Sequence, residues 1–323
     1  MSKVRAKVVD RRTTSLSAAS VSASGEQVAV RTVGLTKVFG RHRALDDVDL
    51  LVPRGVVFGY LGPNGAGKST TIRVLTGLIR ATSGTVEVLG NDVAVDRDAA
   101  QRLVGYLPGD FIAYPDLTGA QYLHHLACLR SGAGASAIGP LAERLDLPLD
   151  RRIGTLSHGN RQKVGIVQAF MHRPPLLVLD EPTAGLDPLG QREFLAMVRE
   201  ARDEGRTVFL SSHVLSEVEA VADRVGILRT GRLVVTDSLE NLERQAVRRI
   251  DLFFAGAPPL DAIRRVAGAR EVVASGRTVH VRVEGSTVEL LRTAAPYGVD
   301  NVVTHEADLG DIFMGWYDVG GES

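Results

Sequence analysis

The sequence is poor in cysteine, in lysine, in long apolar runs and in net charge, and each shortage narrows the field. Cys128 stands alone, which excludes an internal disulfide framework and suits a reducing compartment. It lies in a helical pattern with no activating motif beside it, so it is not read as a nucleophile. Lys+Arg and Asp+Glu balance at 38 each, so no global field draws the chain to nucleic acid, and no nucleic-acid partner is expected. Lys3, Lys7, Lys37, Lys68 and Lys163 are the only lysines, against a background of arginine. No stretch approaches the roughly 18 consecutive apolar residues of a membrane span. The first 25 residues are basic, then Ser/Ala-rich, and lack the apolar core of a secretory signal. The expectation is therefore a disordered tail over residues 1–27 on a protein that meets a membrane only through a partner.

What is present is an alternation of β-rich runs and helical segments from Val28 onward. VAVRTVGL, VVFGYLG and TVEVLG read as strands, and GKSTTIRVLTGL opens a helix directly after the second of them. GYLP reads as the start of a connection. TGAQYLHHLACLRS and PLAERLDL have apolar residues at helical spacing. PPLLVLDE and TVFLSSH are short apolar runs of the kind buried on both faces of a parallel sheet. VGILRTGRLVVTD reads as a hairpin around Thr230 and Gly231. Beyond Arg248 the order becomes strand, helix, strand, strand, helix, strand, which matches a split βαβ, ferredoxin-like unit. A last segment, DLGDIFMGWYDVG, puts Leu309, Ile312, Phe313, Trp316 and Tyr317 on one helical stripe suited to packing. The expected division is 1–27 tail, 28–246 α/β domain and 247–323 small accessory domain.

GPNGAGKST at 62–70 satisfies G-x-x-x-x-G-K-[ST] between a strand and a helix, the context that the motif requires. Gly62, Pro63, Asn64, Gly65, Ala66, Gly67, Lys68, Ser69 and Thr70 thus form a nucleotide-phosphate loop. Its glycines let backbone N–H groups turn inward, and the helix N-terminus adds a positive dipole. Lys68 places a charge on the β- and γ-phosphates, and Ser69 offers a hydroxyl to Mg²⁺. LLVLDE at 176–181 complements it: Asp180, ending a buried strand, is placed to hold Mg²⁺ directly or through water, and a carboxylate at Glu181 can orient and deprotonate an attacking water.

The phosphate loop, LSHGN at 156–160, LLVLDEP, AGLD at 184–187 and SSH ending at His213 follow one another in the motif order of ABC transporter ATPases. The chain resembles that family over about residues 28–242. Singly, Ser157 is also an N-cap, His213 a histidine at a strand end, Phe39 a core residue and AGLD a turn; their order around two strong motifs decides. The resemblance implies an α/β fold of the P-loop NTPase class: a RecA-like core, an antiparallel β subdomain and a helical subdomain, here with a small C-terminal α+β domain. It implies ATP as substrate with Mg²⁺, Phe39 stacking on adenine, and His213 holding the γ-phosphate and Glu181. It also implies a homodimer through the ATP sites, with Ser157 and Gly159 of one subunit on the γ-phosphate held by the other and Asp187 at the seam. That answers why one chain carries two anion-suited helix starts.

Two departures stand out. His158 and Asn160 replace Gly and Gln of the usual signature. Gly109, in GYLPGD, stands where the family has a Gln near Mg²⁺, and Asp110 is offered as its substitute. The short interval from Gly109 to Leu156 has no sustained heptads, which disfavours a repair factor, and one phosphate loop disfavours a two-cassette translation factor. The expected task is ATPase subunit of a transporter at the cytoplasmic face of the cell membrane, serving an integral permease on a separate chain. LSHGNRQK, GYLPGD and the C-terminal extension resemble the bacterial drug- and antibiotic-exporting branch; an importer is the alternative. Phe111, Tyr114 and Tyr122 are offered as anchors for the permease. His124 and His125 diverge on a helix and are not read as a metal pair.

Overall fold

The computed structural model describes residues 27–245, 247–284 and 287–305. The expected tail apart from Gln27 and the stripe from Leu309 to Tyr317 lie outside the described residues. Strands β1 (Val28–Phe39) and β2 (His42–Pro53) form an antiparallel hairpin. Next, β3 (Val57–Leu61) runs through the phosphate loop into α1 (Lys68–Leu75). After β4 (Ser83–Val88), β5 (Asn91–Asp92) and α2 (Arg97–Arg102) comes β6 (Val104–Leu107). A helical segment follows, with α3 (Gly119–Leu129), α4 (Ile138–Arg144) and α5 (His158–Phe170) ahead of β7 (Leu176–Asp180). Then come α6 (Pro188–Asp203), β8 (Thr207–Ser212), α7 (Leu215–Glu219) and the hairpin β9 (Arg224–Arg229) and β10 (Arg232–Ser238).

The central sheet has the order β10-β9-β3-β8-β7-β6, parallel throughout except for the β9/β10 pair. Its middle strands β3, β7 and β8 are buried at every residue, which is why they read as unbroken apolar runs. Successive side chains alternate between the two faces. Phe58, Tyr60, Leu176, Val178 and Phe209 point into a core shared with α1 and the antiparallel sheet β2-β1-β4-β5. Val57, Leu61, Leu177, Leu179, Val208 and Leu210 point into a core closed by α3, α4, α5 and α6. Phe58 stacks on Phe209 with centroids 5.7 Å apart, a contact worth about 0.5–1.5 kcal/mol beyond its buried area.

Two strands that pack on the cores differ from the sequence reading. GYLP is no connection: Val104–Leu107 is the edge strand β6, paired in parallel with β7. Its strand signal is weakened by Gly105, where a Cβ would lie 2.2 Å from the carbonyl oxygen of Ala169. Strand β2 has no clear strand pattern in the sequence, because Asp46, Asp47 and Asp49 interrupt its apolar residues. Leu45, Val48, Leu50 and Val52 nonetheless point inward, with the change of parity taken up around Asp47, at φ 58°.

The remaining chain gives α8 (Leu239–Gln245), β11 (Val247–Phe254), α9 (Leu260–Arg264), β12 (Ala269–Ser275), β13 (Thr278–Glu284), α10 (Val288–Ala294) and β14 (Val299–Thr304). These last four strands form an antiparallel sheet in the order β12-β13-β11-β14, the arrangement of a split βαβ unit. Ile250, Leu252, Ile263, Val281 and Leu290 make its core. The α/β class with a small C-terminal α+β unit is thus the fold that forms.

Candidate functional site: a phosphate cleft and a separate signature groove

The C-terminal ends of β3, β7 and β8 place the site. Where β3 ends, the chain turns through the loop 62–70. Gly62 is required by space, since a Cβ there would lie 2.5 Å from the carbonyl oxygen of Leu228, and Gly67 by both space and a φ of 111°. Gly67 caps α1 without a side-chain hydrogen bond, and no acidic residue occupies the first turn. No side chain therefore caps the N–H groups at this helix N-terminus, an arrangement suited to an anion. Lys68 is buried at 6% exposure; its Nζ donates to the carbonyl of Gly62 at 2.7 Å and lies 3.2 Å from Glu181 Oε1.

Parity along β7 turns Asp180 toward the same side as Val178, the face that holds α1. Ser211 Oγ donates to Asp180 Oδ1 at 2.6 Å. The backbone N–H of Glu181 meets both the Oγ of Ser211, at 3.1 Å, and its carbonyl oxygen, at 3.2 Å. Ser211 is not singled out in the sequence; the available signal is a pair of hydroxyl residues closing the buried strand β8, beside a strand that ends in Asp. Glu181 has a φ of 46°, a left-handed backbone that costs on the order of 1–3 kcal/mol and persists only where its surroundings hold it. His213 Nδ1 donates to Glu181 Oε2 at 2.7 Å. Burial, with the charge of Asp180, pushes the Tyr106 hydroxyl up to about 12.

Lys68, Ser69, Thr70, Glu181 and Phe39 line one cleft of about 370 Å³ together with His42. Phe39 is half exposed at this cleft, and the Nζ of Lys37 lies 4.8 Å from its ring centroid. His42 is a cleft residue that the sequence reading missed.

The signature residues are elsewhere. Ser157 caps α5, accepting from the backbone N–H of Asn160 at 3.2 Å, a contact worth about 1 kcal/mol. Asp187 caps α6, accepting from Gly190 at 2.8 Å. That N–H, and Lys163 beyond it, hold the Asp187 carboxyl below the usual carboxylate range. Ser157 and Asp187 line a second groove of about 570 Å³ with Asn160, Lys163 and Arg151, sharing no lining residue with the first. Gly159 is tightly placed, since a Cβ would lie 2.4 Å from the carbonyl oxygen of Gly185. Within one chain the structure therefore gathers Lys68, Glu181, Ser69, Phe39 and His213, and leaves Ser157, Gly159 and Asp187 apart from them.

Gly109 lies against Asp180: a Cβ there would sit 3.4 Å from Asp180 Oδ2. Its neighbour Asp110 is exposed. If Asp110 serves in place of the missing Gln, Asp110→Ala lowers divalent-dependent hydrolysis; turnover matching the wild type across a magnesium titration rules that role out.

Residues 45–184 match the ABC transporter family. The bacitracin transport ATP-binding protein BcrA of Bacillus licheniformis is 36% identical over 222 residues, 67% of this chain and 72% of that protein. The chain belongs to the ABC transporter family. A second relative of this ABC ATPase, the daunorubicin/doxorubicin resistance ATP-binding protein DrrA of Streptomyces peucetius, is 38% identical, with 67% of each chain covered. A solved ATP-binding subunit of an ABC transporter overlays with a TM-score of 0.63 at 32% identity, covering 67% of this chain and 92% of that one. As an ABC ATPase the chain binds and hydrolyses ATP. Among the described residues no helix is long and apolar enough to cross a membrane.

Proposed function

We propose that this ABC ATPase is the motor subunit of an exporter for drugs or other hydrophobic compounds, working as a homodimer on a separate membrane permease at the cytoplasmic face. The observation that carries the reading is the separation of the two grooves. Lys68 and Glu181 occupy one cleft, and Ser157 and Asp187 another in the same chain, so two chains facing each other bring each signature onto the other's nucleotide. Export rests on the relatives, one a bacitracin transport protein and one a daunorubicin/doxorubicin resistance protein.

In the proposed reaction the loop 62–70 and the N-terminus of α1 bind the phosphates, and Lys68 turns its ammonium from Glu181 to the β- and γ-phosphates. Glu181, released from Lys68 and held by His213, takes a proton from the attacking water at its carboxylate. Ser157 and the backbone at Gly159 of the second subunit close over the γ-phosphate, and Phe39 stacks on the adenine. Two side chains would hold Mg²⁺: the Asp180 carboxylate, whose Oδ1 accepts from Ser211, and the Ser69 hydroxyl, which lines the Lys68 cleft. Both are the hard oxygen ligands that ion prefers. When bound there, it would offset negative charge on the phosphates.

The permease contact falls after Gly109. Tyr122 is not free for it: it is 7% exposed and donates its hydroxyl to Gln168 at 2.6 Å. Ile112 and Tyr114 stand out at 86% and 64% exposure and are the anchors in this reading. Residues 28–246 act as the ATPase domain and 247–323 as an accessory domain. An affinity pull-down of the tagged chain from detergent-solubilised membranes of its own cell tests the assignment. A stoichiometric multi-spanning membrane protein is expected; ribosomal or DNA-repair proteins in its place contradict it.

A further inference from the structure

Lys163, which lines the second groove, and its neighbour Gln162 on α5 have no part in the reaction so far, yet both are buried, at 6% and 1% exposure. A buried carboxamide and a buried ammonium are costly unless they hold something. Gln162 Nε2 donates to the carbonyl oxygens of Pro182, at 3.2 Å, and Glu181, at 3.4 Å. Lys163 Nζ lies 3.4 Å from Asp187 Oδ2, and its Cε would be 3.3 Å from a Cβ on Gly190, so the lysine stem lies along the cap of α6. One turn earlier, Gly159 meets the carbonyl of Gly185. Thus one stretch of α5 grips the segment 181–187 at its start, its middle and its end. The start of that segment is Glu181, whose left-handed backbone needs support. Ser211 supports its N–H from one side, and Gln162 supports its carbonyl from the other.

We propose that Gln162 and Lys163 are positioning residues that join the signature turn of one subunit to its own Glu181 and Asp187. When Ser157 and Gly159 engage the nucleotide of the facing subunit, α5 moves as a unit, and its grip on residues 181–187 sets the Glu181 carboxylate for attack in its own site. The two ATP sites are then coupled through each chain's own α5. Neither residue touches substrate: each acts through Glu181 or Asp187. This inference rests on the proposed dimer.

The test replaces Gln162 with Met, which keeps the length and loses the donor, and Lys163 with Met or Arg. ATP binding at the Lys68 cleft, measured with a fluorescent nucleotide, stays within about twofold of wild type, whereas kcat falls at least about tenfold with KM nearly unchanged, the pattern of an interaction used only in reaching the transition state. Lys163→Arg restores most of the activity that Lys163→Met loses. Gln162→Met at wild-type kcat, or Lys163→Arg as inactive as Lys163→Met, overturns the proposal. If Gln162→Met unfolds, shown by loss of nucleotide binding together with a drop in Tm, the Lys163 pair decides. Failure of the dimer reading is seen separately: a Glu181→Gln chain that stays monomeric with ATP removes the premise whatever the positioning variants do.

Discussion

Glu181→Gln is expected to leave ATP bound, cut turnover by at least about a hundredfold and accumulate a dimer that persists as long as ATP is present. The size follows from removing a positioned general base, typically worth 10²–10⁴-fold. The carboxamide keeps the shape of Glu181 and loses the charge that takes the proton. It also removes the ion pair with Lys68, now 3.2 Å away, so nucleotide binding is not weakened by the change. The expected dimer is read by gel filtration with and without ATP and magnesium. A chain that elutes as a monomer in both contradicts the reading.

Lys68→Ala is expected to act one step earlier. Its ammonium is the buried positive charge in the cleft, and loss of a preorganised electrostatic contact to the phosphates is commonly worth about 3–4 kcal/mol, or two to three orders of magnitude. The variant should lose nucleotide binding or turnover by that factor and form no ATP-dependent dimer. Its fold should persist, because Glu181, the charged partner it leaves behind, lines an open cleft. Binding at wild-type affinity by calorimetry, together with normal turnover, contradicts the role given to Lys68.

The contrast between these two residues and the rest of the site shows what a sequence makes legible. The loop 62–70 and LLVLDE could be read because each motif unites a local conformation with a chemical group. The loop needs glycine at Gly67, where φ is 111°, and the strand β7 is buried on both faces up to Asp180. Ser211 and His42 carry no such local mark. They reach the site from β8 and from the hairpin of β1 and β2, and only the pairing of distant strands reveals them. Strand β6 failed for the opposite reason: the close approach of Ala169 demands Gly105, and a glycine weakens any strand pattern. Aromatic residues mislead in the same way, since Tyr122 and Tyr114 look alike in sequence and only packing buries the first and exposes the second.

The split between the phosphate cleft and the signature groove is the central structural claim, and one measurement addresses it directly. Light scattering and fluorescent-nucleotide binding should be compared for Glu181→Gln and for Glu181→Gln combined with Ser157→Arg. If Ser157 serves the facing subunit, the double variant still binds nucleotide but keeps the mass of a single chain with ATP, whereas Glu181→Gln alone reaches the mass of two. A double variant that dimerises equally well, or that loses nucleotide binding as Lys68→Ala does, contradicts a site shared between two chains.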